Sequence, residues 1–297
     1  MNLGRDVALI FSLHIALWRA LIFFLCVAVA ACSTIPHESI DGRRKCPEGS
    51  PKIKIGTYNV FVGTRNLEKT ATVIRAMNAD VVALQEVLPL AANTLDREFS
   101  REYRYRYFSR GLGLMSRLPL RNIRSERSER GINGFVFAEV QVGGRRLQFA
   151  NVHLDPLRLW TIGGIVALPY QLCCGHRQIQ RAEVAQIAAH LRPGVPTIVA
   201  GDFNNTDDHA LEEFQRMGYV DTFAAIASKP DGVPTLHIRL LGLRLGRRID
   251  FILHDKQFGT LDSHLVSGRP SDHDAVVSVL CWPRRIDASA DKILFIL

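Results

Sequence analysis

The chain is short of the features that would divide it. It has no internal repeat and no low-complexity tract, which excludes solenoid and propeller architectures. Nothing between residues 52 and 282 reads as an interdomain linker, so one domain of about 230 residues is expected, enough for one large core. Uncharged apolar runs are short as well: residues 20–31 are apolar throughout, yet too few to span a bilayer. Zinc-site spacing is also missing. Cys173-Cys174 has His176 nearby but no second ligand pair, so a zinc reading is weak.

What stands at the N-terminus reads as an export signal. The 20–31 run follows Arg5 and Arg19 and has the length of a signal h-region, so residues 1–31 are expected to be a signal peptide. Val29-Ala30-Ala31-Cys32 resembles the lipobox of bacterial lipoproteins. That resemblance implies cleavage before Cys32, a diacylglycerol thioether on Cys32, and attachment of the mature protein to the cell envelope. Ser33 beside it fits the periplasmic face of the outer membrane in a Gram-negative host. The alternative is an uncleaved anchor beginning near residue 7, because Val7 to Leu17 is also apolar. Residues 32–51, rich in Pro, Ser, Gly and charge, read as a tether.

The formal charge is +8; residues 1–31 carry Arg5, Arg19 and Asp6, a net of +1, which leaves +7 on the remainder. Such a balance favours polyanions or anionic membrane surfaces, or is simply a solvated basic surface. Cys46, Cys173, Cys174 and Cys281 remain after the leader and Cys32, and four cysteines allow three pairings. A staple from Cys46, before the first strand, to Cys281, after the last, is attractive but is not fixed by sequence.

Apolar runs punctuated by turn residues predict strands at Lys52–Tyr58, Val81–Gln85, Gly113–Ser116, Phe135–Val142, Leu147–His153, Thr197–Ala200, Arg248–Leu253 and Ala275–Leu280. Helical spacing predicts Leu67–Met77, Ala91–Phe99, His176–Leu191 and His209–Met217, the third with an apolar stripe of Ile179, Ala182, Val184, Ile187, Ala188 and Leu191. A hairpin around Gly143-Gly144 excludes strict strand–helix alternation. The expected fold is α+β: a four-layer sandwich of two mixed or antiparallel sheets packed face to face with helices outside, occupying 52–297.

The predicted strands end in chemistry. The ends read Thr57-Tyr58-Asn59, Leu84-Gln85-Glu86, Gly113-Leu114-Met115-Ser116, Asn151-Val152-His153, Gly201-Asp202-Phe203-Asn204, Arg248-Ile249-Asp250 and Ser271-Asp272-His273-Asp274. Polar groups are costly to bury without partners, and each end alone could be a turn. Together, in this order, they resemble the endonuclease/exonuclease/phosphatase superfamily (deoxyribonuclease I-like), from about residue 52 to 282.

The resemblance implies hydrolysis of phosphate esters with Mg²⁺, or Mn²⁺ in its place. Glu86 would be a hard oxygen ligand, with Asn59 and Asp272 assisting around the metal. Asp202 would orient and deprotonate the attacking water, and Asn204 would donate to a phosphoryl oxygen. His273 would face the phosphate, backed by Asp250, and His153 would donate to the phosphate or protonate the leaving oxygen. Ser271 and Asp274 read as turn and capping residues; Arg177 and Gln180 read as structural, with a substrate contact as the other reading.

Substrate is less legible. Nucleic-acid phosphodiesters are expected first, with the protein a monomer; a phospholipid such as sphingomyelin, or a catalytically silent lipoprotein that binds polyanions, are the alternatives. His153 stands where abasic-site endonucleases usually carry Tyr, which argues against that branch. The apolar segment 157–174 could enter a lipid interface, cover a sheet edge or pack on the core. Arg239, Arg244, Arg247 and Arg248, interleaved with leucines, could line a groove for a nucleic-acid backbone or form an ordinary exposed row.

Overall fold

Strands that are apolar at almost every position need cover on both faces. Val81–Val87 and Thr197–Asp202 are such runs and are buried nearly end to end. The computed structural model describes residues 46–282 apart from 65, 158–174, 206–207, 228–232, 241–242 and 268–269. The readings made for residues 1–45, including Cys32, and for the apolar segment with Cys173 and Cys174 lie outside the described residues.

Along the chain come β1 (Lys52–Asn59), α1 (Leu67–Met77), β2 (Val81–Val87), α2 (Pro89–Glu98), β3 (Tyr105–Ser109), β4 (Gly111–Ser116) and β5 (Leu120–Arg127). Next are β6 (Gly134–Val142), β7 (Arg145–His153), α3 (His176–His190), β8 (Thr197–Asp202), α4 (His209–Arg216), β9 (Val220–Asp221) and α5 (Thr222–Ile226). Last are β10 (Leu236–Leu240), β11 (Leu243–Arg247), β12 (Asp250–His254), β13 (Gly259–Val266) and β14 (Ala275–Cys281).

Two six-stranded sheets result, in the orders β13-β14-β1-β2-β4-β3 and β5-β6-β7-β8-β12-β9, with β10–β11 a separate hairpin. Each sheet is antiparallel apart from one parallel pair, β1–β2 in the first and β7–β8 in the second. Ile53, Ile55 and Leu114 of the first sheet meet Val136, Phe149, Ile198 and Ile252 of the second to form the central core. α1 and α2 bury Ile74, Met77, Leu95 and Phe99 on the outer face of the first sheet. α3 and α4 bury Val184, Ile187, Leu211 and Phe214 on the outer face of the second. The four layers are therefore those expected, and they explain the uninterrupted apolar runs.

Gly143 and Gly144 both have positive φ (53° and 80°), which suits the two-residue turn that pairs Val142 with Arg145. The stripe predicted on α3 needs correction: its buried face includes the polar residues Gln180 and Glu183, whereas Ile179 and Ala182 are only partly covered. Cys46 and Cys281 are joined by a disulfide, which ties the segment before β1 to the end of β14.

Candidate active site

The parallel pairs bring four strand ends to one edge of the sandwich. Asn59 ends β1, Glu86 lies beside it on β2, and His153 and Asp202, which are register partners, end β7 and β8. Asp250 opens β12 directly opposite Asp202, and His273 precedes β14.

Two positions are shaped by unusual backbone. A β-bulge interrupts the β2–β4 register between Leu84 and Val87, and Glu86 sits there at φ 59°. A non-glycine residue in that region costs on the order of 1–3 kcal/mol, which is offset by what the side chain does. Glu86 Oε2 accepts from the backbone N–H of Val62 at 2.7 Å, and Oε1 accepts from Asn59 Nδ2 at 3.0 Å. Gly201 has φ 153°, and a Cβ there would collide with the backbone of Val152. Only glycine lets β8 lie this close to β7 and present Asp202 beside His153.

Asp202 is the centre of the cluster. Its Oδ2 accepts from Asn59 Nδ2 at 2.9 Å and lies 3.7 Å from His153 Nε2 and 3.9 Å from His273 Nε2. Its Oδ1 accepts from the backbone N–H of Asn204 at 2.8 Å. His273 Nδ1 is 2.8 Å from Asp250 Oδ2, and both side chains are buried. Burial opposes charge on His273, but the Asp250 carboxylate in contact and the Asp202 and Asp272 carboxylates beyond it push the imidazole up to about 10. Burial taken alone pushes the Asp250 carboxyl up. With two more carboxylates facing the ring, the shared proton resides on His273.

Asp272 lies 4.0 Å from His273 Nε2 through Oδ1. Burial raises its carboxyl, and the negative charge of Glu86 adds to the rise. Two carboxylates with an amide beside them suit a hard cation. Asn59, Glu86 and Asp272 thus fit a Mg²⁺-type group. Asp202, Asp250 and His273 also place ligand atoms within 4.8 Å of one another. A cation there would have to break the 2.8 Å bond from Asp250 to His273, so this second cluster suits proton handling better.

Other residues hold these in place. Gln85 Nε2 donates to Asn151 Oδ1 at 2.7 Å, and Asn151 Nδ2 donates to the carbonyls of Leu84 and Gly113, which staples the sheets beneath the cluster. Gln180 Nε2 lies within 3.2 Å of the carbonyls of Asp155, Phe203 and Asn204. Thr235 Oγ1 accepts from the N–H groups of Ile249 and Asp250. Ser271 Oγ donates to the carbonyl of Asn59 and accepts from His273 N–H, the turn role expected of it. Gln85, Asn151 and Thr235 carry no sequence signal for these roles, because their partners, side-chain for Gln85 and backbone for Asn151 and Thr235, come from residues distant in the chain.

One N–H of the Asn204 amide, the group expected to donate to a phosphoryl oxygen, donates to the carbonyl of Leu154 at 3.0 Å, and the amide nitrogen carries a second. One expectation changes. The basic run does form a hairpin, but Arg248 is buried in an ion pair with Asp221 at 2.7 Å, and Arg247 donates to the Asn205 carbonyl. Neither lines a groove. Asp274 does more than cap a turn: its Oδ2 meets His237 Nε2 on β10 at 2.8 Å.

A family model described as Endonuclease/Exonuclease/phosphatase family matches residues 56–273. The chain belongs to that family. As a member of the endonuclease/exonuclease/phosphatase family it is a hydrolase of phosphate esters, in a family of metal-dependent enzymes. Solved structures agree in fold. An endonuclease/exonuclease/phosphatase from Beutenbergia cavernae matches with TM-score 0.64 at 19% identity, over 78% of this chain and 72% of that one. TDP2 from D. rerio, complexed with single strand DNA product, matches with TM-score 0.61 at 18% identity, over 77% and 98%. Sphingomyelinase C from Streptomyces griseocarneus matches with TM-score 0.56 at 16% identity, over 77% and 99%. No curated protein matches the chain.

Proposed function

We propose that this enzyme is a phosphodiesterase that uses Mg²⁺, with Mn²⁺ able to replace it. The observation that carries the proposal is the surround of Asp202 Oδ2: Asn59 Nδ2 at 2.9 Å and the two imidazole Nε2 atoms of His153 and His273 at 3.7 and 3.9 Å. A carboxylate so placed can take a proton from water and hold the oxygen that attacks phosphorus. A new P–O bond forms to that water oxygen as the ester P–O bond breaks. The protonated His273, held by Asp250, faces the phosphoryl charge, and His153 delivers a proton to the leaving oxygen. His153 also lies beside Asp202, so the proton taken from water can return to it. A cation held by Glu86, Asn59 and Asp272 would supply charge neutralisation at the phosphate.

The nucleic-acid reading is supported by the chain's charge of +8 and by likeness to a TDP2 that binds a single strand DNA product. A second reading, a phospholipid diester, draws support from likeness to a sphingomyelinase and from exposed aliphatic residues around the site. Full-length protein assayed with Mg²⁺ against bis(p-nitrophenyl) phosphate, DNA, RNA and sphingomyelin is expected to hydrolyse the soluble diester and to lose that activity in EDTA. Hydrolysis of none of them with either metal would overturn the proposal. Export and acylation at Cys32 would hold the enzyme at the envelope; palmitate labelling that survives Cys32→Ala would refute that part.

A further inference from the structure

Large apolar side chains left exposed gather at the mouth of this site. Phe61 and Val62 follow β1 just after Asn59, and Val62 N–H is held by Glu86. Leu88 and Leu90 follow β2 just after Glu86, Leu90 being 75% exposed. Ile132, 63% exposed, lies on the turn from β5 to β6, where its N–H donates to Asp155, two residues beyond His153. Ile238, Leu243 and Leu245 belong to the β10–β11 hairpin, whose Leu236 forms a bridge with His273. Of the ten exposed large apolar residues among those described, eight are therefore on connections leaving the site's strand ends. Met217 and Leu261 are elsewhere, the latter on β13 near Thr260, which pairs with Leu280 at the far end of β14.

Within the hairpin Ile238 and Leu245 are register partners, and both are exposed, as is Leu243. Exposed Arg110, on the turn beside Gly111, adds positive charge to the same rim, while on the β5–β6 turn exposed Arg127 and Arg130 stand among Glu126 and Glu129.

Three occupants can be compared on this chemistry. A protein partner over the rim would shut the mouth that must admit substrate. Nucleic acid asks for stacking surfaces and cations, and among the described residues the large apolar side chains exposed on the rim are aliphatic apart from Phe61. An anionic bilayer offers hydrocarbon to the aliphatics, phosphates to the arginines and diester headgroups to the centre, all at once. We propose that the mouth is an interfacial docking surface, whose loop tips enter the headgroup–acyl boundary of an anionic bilayer so that a phosphodiester in that surface reaches Asp202. The proposal rests on the phosphodiesterase reading for its chemistry, though not for its docking.

Full-length protein carrying Cys32→Ala, which no acyl group can anchor, would be made with Ile132→Trp, Leu243→Trp or Leu261→Trp. These are mixed with phosphatidylcholine/phosphatidylglycerol vesicles whose acyl chains are brominated. Quenching above the parent is expected at 132 and 243 and not at 261; equal quenching at all three positions, or at none, overturns docking. A paired variant, Ile132→Glu with Leu243→Glu, is then assayed on sphingomyelin and phosphatidylglycerol vesicles and on soluble bis(p-nitrophenyl) phosphate. The ratio of vesicle to soluble activity should fall by about tenfold or more, given the transfer free energy of two aliphatic side chains. An unmoved ratio, or vesicle lipids left intact by an enzyme that cleaves the soluble diester, refutes the lipid assignment. Loss of DNA cleavage in the paired variant without bromine quenching would give the rim to nucleic acid instead. Absence of all hydrolysis would sink the phosphodiesterase reading alone, since quenching still decides the docking.

Discussion

Asp202 Oδ2 accepts from Asn59 Nδ2 and faces the Nε2 atoms of His153 and His273, so under the proposed mechanism single changes around it should have unequal effects. Asp202→Asn keeps the shape and the Asn204 contact but removes the proton acceptor. Turnover of a soluble diester is expected to drop roughly 10²–10⁴-fold with an unchanged melting temperature, as steady-state rates and a thermal scan would show. A drop below tenfold would remove Asp202 from the role of base. Gly201 tests the backbone instead of the chemistry. Gly201→Ala drives a Cβ into the Val152 backbone, where no side chain can yield. It should cost about 1–3 kcal/mol in denaturant unfolding, and because the clash pushes Asp202 away from His153, turnover should fall further than the folded fraction does.

At the level of elements, α3 acts as a frame for the loops that follow β7 and β8. Gln180 carries this role: one buried amide gathers the carbonyls of Asp155, Phe203 and Asn204. Gln180→Leu takes the donor from the Phe203 and Asn204 carbonyls, while His176 Nε2 still lies 2.8 Å from the Asp155 carbonyl, and should destabilise the fold by about 1–3 kcal/mol. If Gln180 positions the site, kcat falls further than the folded fraction does while KM changes little; a loss that tracks folded fraction alone would make it merely structural. β6 offers a pH test through Glu139. A hydrogen bond from Asn122 holds its carboxyl below the ordinary range, burial opposes this, and Arg192 adds to the lowering. A carboxyl lowered on folding stabilises above its unfolded pKa of about 4.3 and ceases to as pH falls through the folded value. The stability gap between wild type and Glu139→Gln should therefore be full near neutral pH and shrink in acid, measured by urea unfolding across pH. The same contrast between buried and exposed elements explains what the sequence could tell. Each of the eight predicted strands is an interior strand of its sheet, because strands covered on both faces read as apolar runs. β3, β5, β9 and β13 are the four sheet edges and were not anticipated; β5, with the burial of an edge and four charged residues in Leu120–Arg127, carries no such run. Strand-end carboxylates and imidazoles were legible because turn residues follow apolar runs. Gln85, Asn151 and Thr235 were not, because their partners are groups distant in the chain that only the fold brings near.

Across the whole molecule, closure of the first sheet depends on both ends of the domain. β1 lies between β14 and β2, and Trp282 N–H donates to the Pro51 carbonyl, so the last described residues complete the neighbourhood of the first. This places Asn59, at the end of β1, and His273, just before β14, within one site. The Cys46–Cys281 disulfide locks that closure at the end of the sandwich remote from the catalytic edge, with Cys281 opposite Lys52 at the start of β1. It spans a sequence separation of 235, so most of the chain lies inside the loop it closes. A cross-link over so long a loop restricts the unfolded chain strongly, and its loss should cost about 2–5 kcal/mol. Cys46→Ser with Cys281→Ser should lower the unfolding free energy by that amount yet leave kcat on a soluble diester near its starting value, since neither cysteine approaches Asp202. Loss of turnover without loss of stability would mean that strain between the two ends reaches the catalytic edge through β1 and β14.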